Sequence, residues 1–382
     1  HEEIVKKNLL ENDIVLGTAV VDMYTKCGAL PLARKVLEEL PNRNTVSWSV
    51  LIAGYVEEGQ SHEALRCFKH MKSEGLLPNV VTFICILNAC DIIEGKQIHD
   101  EIVTRGLLLG ENIVLGNALV DMYARCGHLS KAYAVLKEIP HRNVVSWNVI
   151  IAGYAQYSYG EEALDCFQRM LCEGISPNPV TFIGILKACC NIGALHMGET
   201  MHDEIAHMCL LQKDIVLGTT LMDMYAKCGA LSKAQEVLDE LPFQDVISWN
   251  SLIAAYAQQG KSENAMHCFN EMQKNGFSPN AVSFTCILKA CGSLGALEKG
   301  KQIHEDIAKS GLLEGNIMLG NALVDMYAKC GVFLKAQEVL ESLPTRDIVT
   351  WSTLIAGYSQ QENFHELLDC YERMQREGHS PD

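Results

Sequence analysis

The stretch IVLGNALVDMYARCGHLSKAYAVLKEIPHRN, residues Ile113–Asn143, decides how the rest of the chain is read. Gly127 separates two amphipathic segments. The second places Ala132, Val135, Leu136 and Ile139 at i, i+3, i+4 and i+7, one face of a helix. Pro140 follows and cannot continue it. The block returns as Ala33, Val36, Leu37, Leu40; as Ala234, Val237, Leu238, Leu241; and as Ala336, Val339, Leu340, Leu343. Pro41, Pro242 and Pro344 end these copies. Met-Tyr-x-Lys/Arg-Cys-Gly begins at Met23, Met122, Met224 and Met326. The four tryptophans, Trp48, Trp147, Trp249 and Trp351, stand 99, 102 and 102 residues apart. A fixed period of about a hundred residues marks a repeat architecture.

One period divides into units of 31 residues (Ile113–Asn143), 35 (Val144–Asn178) and 36 (Pro179–Asp214), each reading as two short helices. In the 35-residue units Gly174/Pro177 break the second helix, as do Gly75/Pro78, Gly276/Pro279 and Gly378/Pro381. Short units span 14–44, 113–143, 215–245 and 317–347. Middle units span 45–79, 144–178, 246–280 and 348–382. Long units span 80–112, 179–214 and 281–316. Residues 1–13 match the tail of a long unit, so the chain is expected to be an excised part of a longer array. A two-helix unit of this size buries its apolar face only by stacking on neighbours. The expected fold is all-α, a right-handed α-solenoid of stacked helix-turn-helix units. The shorter first interval lies in 80–112, where Cys90–Lys96 holds fewer residues than Cys291–Lys301. It reads as a trimmed inter-helix turn, not a lost helix.

No run of about twenty apolar residues indicates a membrane span. Sixteen cysteines recur mostly at fixed helix positions, such as Cys27, Cys126, Cys228, Cys330 and Cys67, Cys166, Cys268, Cys370. That reads as buried free thiols in a reducing compartment. No Cys-x-x-Cys occurs, and Cys85/Cys90 and Cys286/Cys291 are five apart, on different sides of a helix. His-x-Glu at His1–Glu3, His99–Glu101 and His202–Glu204 is half of a zinc-deaminase signature whose other half is missing. The histidine recurs once per period, at His304 too, which points to packing. No metal, cofactor or catalytic set is expected, and the chain reads as a non-enzyme. Lys and Arg total 31 against 47 acidic residues, a net charge of −16. A nucleic-acid binder needs a basic face. Lys26, Arg125, Lys227 and Lys329 recur at first-helix ends, where the macrodipole also favours them. They are the candidate phosphate contacts.

The segments built on Val-Ser-Trp-Asn-x-Ile/Leu-Ile-Ala-Gly/Ala-Tyr and on Leu-Gly-Asn-Ala-Leu-Val-Asp-Met-Tyr-Ala-Lys/Arg-Cys-Gly closely resemble pentatricopeptide repeat (PPR) proteins. The 31/35/36 alternation resembles their plant PLS subclass, and the resemblance covers eleven complete motifs. Tetratricopeptide repeats keep a uniform 34-residue period and a different signature. The resemblance implies binding of single-stranded RNA, one base per motif. It also implies that an early first-helix residue and the last residue of the motif read the base edge, while an aliphatic from this motif and the next sandwiches the base.

Carried onto this chain, Thr18/Asn44 and Ser49/Asn79 should favour adenine. Asn117/Asn143, Asn148/Asn178 and Asn250/Asn280 should take pyrimidines. Thr219/Asp245 and Ser352/Asp382 should favour guanine, Asn321/Asp347 uracil and Thr285/Asn316 adenine. Ile84/Asn112 and Ile183/Asp214 lack a polar early residue and should read little. The stacking positions are Val15, Val46, Val81, Val114, Val145, Val180, Val216, Ile247, Val282, Met318 and Val349. The implied target, 5′ to 3′, is A-A-N-Y-Y-N-G-Y-A-U-G. Short polar side chains offer hydrogen bonds in set directions, and stacking adds about 1–3 kcal/mol per base. Asn and Asp at motif ends also fit as plain helix caps.

The expectation is the specificity part of a plant chloroplast or mitochondrial factor for cytidine-to-uridine RNA editing. The deaminase would lie outside this chain or act in trans, with editing-complex proteins as further partners. The alternatives are a protein-interaction scaffold, which the acidic charge favours, and an RNA splicing or stabilisation factor.

Overall fold

The computed structural model describes residues 1, 4, 13–107, 112–242, 244–313, 315–343, 346–360 and 363–378. Among them are twenty-two helices and no strand, an all-α solenoid of helix pairs. The chain forms two compact units, residues 1–188 and 189–382. In the first, the pairs are Ile14–Lys26 with Leu30–Glu39, Thr45–Glu57 with Ser61–Ser73, Val80–Ala89 with Ile92–Thr104, Ile113–Arg125 with Leu129–Glu138, and Val144–Gln156 with Gly160–Cys172. Helix Pro179–Ile192 holds the division between units, and Leu195–His207 follows it. In the second unit come Ile215–Lys227 with Leu231–Glu240, Val246–Gln258 with Ser262–Lys274, Ala281–Leu294 with Leu297–Ser310, Ile317–Lys329 with Phe333–Ser342, and Ile348–Gln360 with Phe364–Arg376.

Each first helix starts at a residue that can satisfy its free N–H groups. Asn44, Asn79, Asn143, Asp245 and Asn280 form reciprocal capping boxes with Ser47, Thr82, Ser146, Ser248 and Ser283. The helices of a short unit are separated by a left-handed glycine. Gly28 has φ +71°, and the Ala29 N–H donates to the Tyr24 carbonyl at 2.9 Å, closing the helix end. First helices pack on the first helices of neighbouring pairs within each unit, and in every pair that lies within one unit the second helix packs on its own first helix.

Close approach depends on a missing side chain. Gly17, Gly116, Gly218 and Gly320 lie against Leu40, Ile139, Leu241 and Leu343, the last apolar residues of the i, i+3, i+4, i+7 blocks. A Cβ at these glycines would sit 2.3–2.8 Å from that neighbour. The tryptophans are buried. Trp48, Trp147 and Trp351 donate their indole N–H to Glu74, Glu173 and Glu377 at 2.9, 3.1 and 3.3 Å.

The shortened interval differs from expectation. Both helices of 80–112 are present, but the connecting turn keeps its two residues. The first helix is the shortened element, ten residues in Val80–Ala89 against fourteen in Ala281–Leu294. Ala281–Leu294 stops at a left-handed Gly295. In the shorter copy Cys90 is extended instead, and Asp91 caps the next helix by accepting from Ile93 and Glu94 N–H. A side-chain cap there takes the place of the glycine stop.

The recurring histidine packs against the next short unit. His99, His202 and His304 place Nδ1 2.9, 3.0 and 2.9 Å from the hydroxyls of Tyr123, Tyr225 and Tyr327, and His1 meets Tyr24 in the same way at 3.0 Å. Burial pushes the Cys166 and Cys268 thiols up to about 12, which keeps them as protonated, apolar filling. Among the described residues no cluster of His, Cys, Asp or Glu could hold a metal, and no helix is long and apolar enough to cross a membrane.

Candidate nucleic-acid interface

The last residue of one motif caps the first helix of the next. Its side chain is therefore held at a helix N-terminus, one turn from that motif's fifth residue. Packing of successive first helices brings the fifth residue of the preceding motif to the same place. Asn148 Nδ2 donates to Asn178 Oδ1 at 3.0 Å, and Asn250 Nδ2 donates to Asn280 Oδ1 at 3.1 Å. Asn321 Nδ2 lies 3.2 and 3.3 Å from the two Asp347 carboxylate oxygens. Burial raises the Asp347 carboxyl, but hydrogen bonds from Thr350 and Asn321 outweigh it and hold the group below its ordinary value. Ser49 reaches Asn79 through Thr82. The two hydroxyls are 2.6 Å apart, and the Thr82 hydroxyl donates to Asn79 Oδ1 at 2.9 Å.

Other pairs are not joined. Thr18, Thr219 and Thr285 turn their hydroxyls back to their own helices, onto the carbonyls of Ile14, Ile215 and Ala281 at 2.8 Å each. Asn44, Asp214, Asp245 and Asn316 accept from backbone N–H groups as caps. Asn112 caps through no side-chain bond. Asn117 is buried with its Oδ1 unpartnered, while Asn143 accepts from Ser146. Ile84 and Ile183 are half-buried and Ser352 is exposed. Asp382, the other half of the last pair, lies outside the described residues, as do Pro344 and Pro381.

The aliphatic residue at the second place of every motif is unusual. Val15, Val46, Val81, Val114, Val145 and Val180 in the first unit are exposed, as are Val216, Ile247, Val282, Met318 and Val349 in the second. All eleven are between 50% and 75% exposed, in a chain whose other periodic aliphatics are mostly buried. Aliphatics left in water at a fixed register are available to a ligand. In the second unit a cavity of about 430 Å³ is lined by Val349, Ser352, Asp325 and Lys329, bringing one of these residues beside a fifth residue and a base.

The four bases are not free cations. Lys26, Lys227 and Lys329 pair with Asp22, Asp223 and Asp325 four residues earlier, at 2.6, 2.7 and 2.8 Å. Arg125 lies 3.7 Å from Asp121 and donates to the Leu87 carbonyl at 2.7 Å. Glu57, Gln156 and Gln258 are exposed at the matching level of the middle motifs. Sequence reasoning missed the hydroxyls of Thr82, Thr181, Ser283 and Thr350, which touch the fifth residue of the motif before. The available signal was a Ser or Thr two places ahead of each fifth residue in the middle and long motifs.

Models of the PPR repeat family match residues 43–91, 142–191 and 244–293, and PPR repeat models match 117–144, 219–244, 282–312, 321–348 and 349–379. The chain belongs to the pentatricopeptide repeat family. A chloroplastic PPR-containing protein of Arabidopsis thaliana is 35% identical over 373 residues, covering 96% of this chain and 60% of the relative. A mitochondrial one from the same plant is 36% identical over 387 residues, covering 100% of this chain and 37% of the relative. This PPR chain thus spans less than two thirds of either relative's length. The crystal structure of the PPR protein PPR10 from maize matches with a TM-score of 0.79 at 18% identity, over 100% of this chain and 56% of that one. PPR10 in complex with an 18-nucleotide psaJ RNA element matches at 0.80 and 19%, over 96% and 56%. At that identity the likeness speaks for the PPR fold.

Proposed function

We propose that this chain binds single-stranded RNA in a sequence-specific way, one base per motif, with the fifth and last residues reading and the second residues stacking. The observation that carries the reading is local and repeated. A hydrogen-bonded amide pair such as Asn148–Asn178 sits in motifs whose second residues, Val145 and Val180, are half exposed. A flat base needs apolar surface on its faces and a polar group at its edge. The match to a PPR protein crystallised with RNA supports it.

The 31/35/36 alternation supports the PLS subclass, and with it the specificity part of a cytidine-to-uridine editing factor whose deaminase is supplied elsewhere. Relatives named as chloroplastic or mitochondrial support an organellar site of action. Lys26, Arg125, Lys227 and Lys329 would contact phosphate by exchanging their Asp partners. Exposed ion pairs are worth only about 0–1 kcal/mol, so the exchange is cheap. It releases few counterions, and the salt dependence should be shallow. A protein-interaction scaffold is the second reading, favoured by the net charge of −16 and by those same Asp partners.

Fluorescence anisotropy of labelled A-A-N-Y-Y-N-G-Y-A-U-G RNA, against a scrambled RNA and the DNA version at two salt concentrations, separates the two. Preference for the designed RNA supports reading and register together. Equal, weak binding to all three favours the scaffold.

A further inference from the structure

The two amide pairs and the amide–carboxylate pair Asn321–Asp347 share a third member. Thr181 Oγ1 donates to Asn148 Oδ1 at 2.7 Å, and the Asn178 N–H donates to Thr181 Oγ1 at 3.1 Å. Asn178 Oδ1 also accepts the Thr181 N–H at 3.0 Å. One set of orientations satisfies these bonds. Asn178 must turn its oxygen, not its NH2, towards the helix N-terminus it caps. Asn148 must then turn its NH2 to that oxygen. Its own oxygen is left facing Thr181, whose single hydrogen has two acceptors in reach, Asn148 Oδ1 at 2.7 Å and Asn178 Oδ1 at 3.1 Å, and takes the nearer. The arrangement recurs where Ser283 donates to Asn250 Oδ1 at 2.6 Å; at Asn321 the Thr350 hydroxyl lies 2.6 Å from Asn321 Oδ1 and 2.7 Å from the Asp347 carboxylate, which competes for its one hydrogen.

Two contrasts sharpen the point. Ser146 takes the matching place after Asn117, but its hydroxyl donates to Asn143 Oδ1 at 3.2 Å, and the buried Asn117 oxygen has no partner. The third place of every short motif is leucine, so the long motifs before them have no such hydroxyl: Ile84 is followed there by Leu115, Ile183 by Leu217 and Thr285 by Leu319.

We propose that the third residue of a motif is a specificity-positioning residue for the motif before it: its hydroxyl holds the Asn oxygen, so that only the amide NH2 faces the RNA. The proposal rests on the RNA-reading function above. A slot that can only donate selects for an acceptor, such as the O2 of a pyrimidine. An amide free to flip offers either group and discriminates less, so the base read by Asn117 is selected less sharply than the one read by Asn148.

The test titrates the full 382-residue chain, with Thr181→Val and Thr181→Ser variants, against the designed RNA. Each of the four bases is placed in turn at position five, read by Asn148, and at position eight, read by Asn250. Thermal melting of each variant is recorded alongside. The expected result is a loss of about five- to tenfold in pyrimidine preference at position five for Thr181→Val, the size of one net hydrogen bond. Position eight should be unaffected, and Thr181→Ser should keep both preferences. An unchanged preference at position five in Thr181→Val overturns the proposal while the reading function stands. An equal loss at both positions, tracking a lower melting point, shows that the hydroxyl is only a cap and also overturns it. Absence of base preference at either position in the unaltered chain defeats the reading function itself.

Discussion

The indole N–H of Trp147 donates to Glu173 at 3.1 Å, and Arg142 holds the same carboxylate at 2.6 Å. Arg43–Glu74–Trp48 and Arg346–Glu377–Trp351 repeat the arrangement. The third copy has Gln244 and Asn275 instead, and Trp249 Nε1 is buried with no partner. A buried unsatisfied donor costs about 1–3 kcal/mol. Asn275→Glu combined with Gln244→Arg should therefore stabilise helix Val246–Gln258 by about 1 kcal/mol. Slower hydrogen exchange of that helix's amides is the expected readout; unchanged exchange would show the indole already satisfied.

Stability should fall on mild acidification. Burial pushes the His99, His202 and His304 imidazoles below their ordinary 6.5. A histidine with a depressed folded pKa binds its proton more tightly when unfolded. Its stabilisation is complete above 6.5 and is lost as pH drops through the lower folded value. The Tyr225 hydroxyl, pushed up to about 12 mainly by burial, stays neutral throughout, so protonation leaves a half-buried imidazolium beside it with no carboxylate to offset the charge across that contact. Urea midpoints measured from pH 7.5 to 5 should decline, and His304→Gln should shrink the decline. A flat profile would refute the assignment.

Ser158 has φ +64°, a left-handed conformation that Gly59 and Gly260 occupy in the matching turns. A side chain there costs about 1–2 kcal/mol. Ser158→Gly should raise the melting temperature, the relief being partly offset by extra freedom of the unfolded chain. No gain would mean that the turn relaxes around serine without strain.

Asn250→Thr replaces an amide with a hydroxyl at a residue bonded to Asn280 and Ser283. Base preference at the eighth RNA position should move from pyrimidine towards adenine, with circular dichroism unchanged. Competition binding that still prefers pyrimidine there would argue against the register.

Val216 is 63% exposed on helix Ile215–Lys227. Val216→Asp should leave folding intact and weaken binding to every RNA about five- to a hundredfold, the loss of roughly 1–3 kcal/mol of stacking. Unaltered affinity would remove this row from the binding surface.

Much of this architecture was legible in the chain. The four tryptophans, the glycine between paired helices and the i, i+3, i+4, i+7 blocks are local signals, because helix period and turn chemistry act over a few residues. The ion pairs of Lys26, Lys227 and Lys329 were equally readable as Asp four residues earlier. The shortening in 80–112 was seen but misplaced, since a missing helical turn and a missing loop delete the same residues from the text.

The sequence by itself determined the repeat, the helix pairs and which residues recur at the second, fifth and last places, because those follow from periodicity and capping within one motif. Only the tertiary structure decided that Thr181 meets Asn148 across 33 residues and that Asn117 lacks the same contact. Those contacts depend on how one first helix packs on the next. A shift of a few tenths of an ångström there makes or breaks a hydrogen bond without changing a letter.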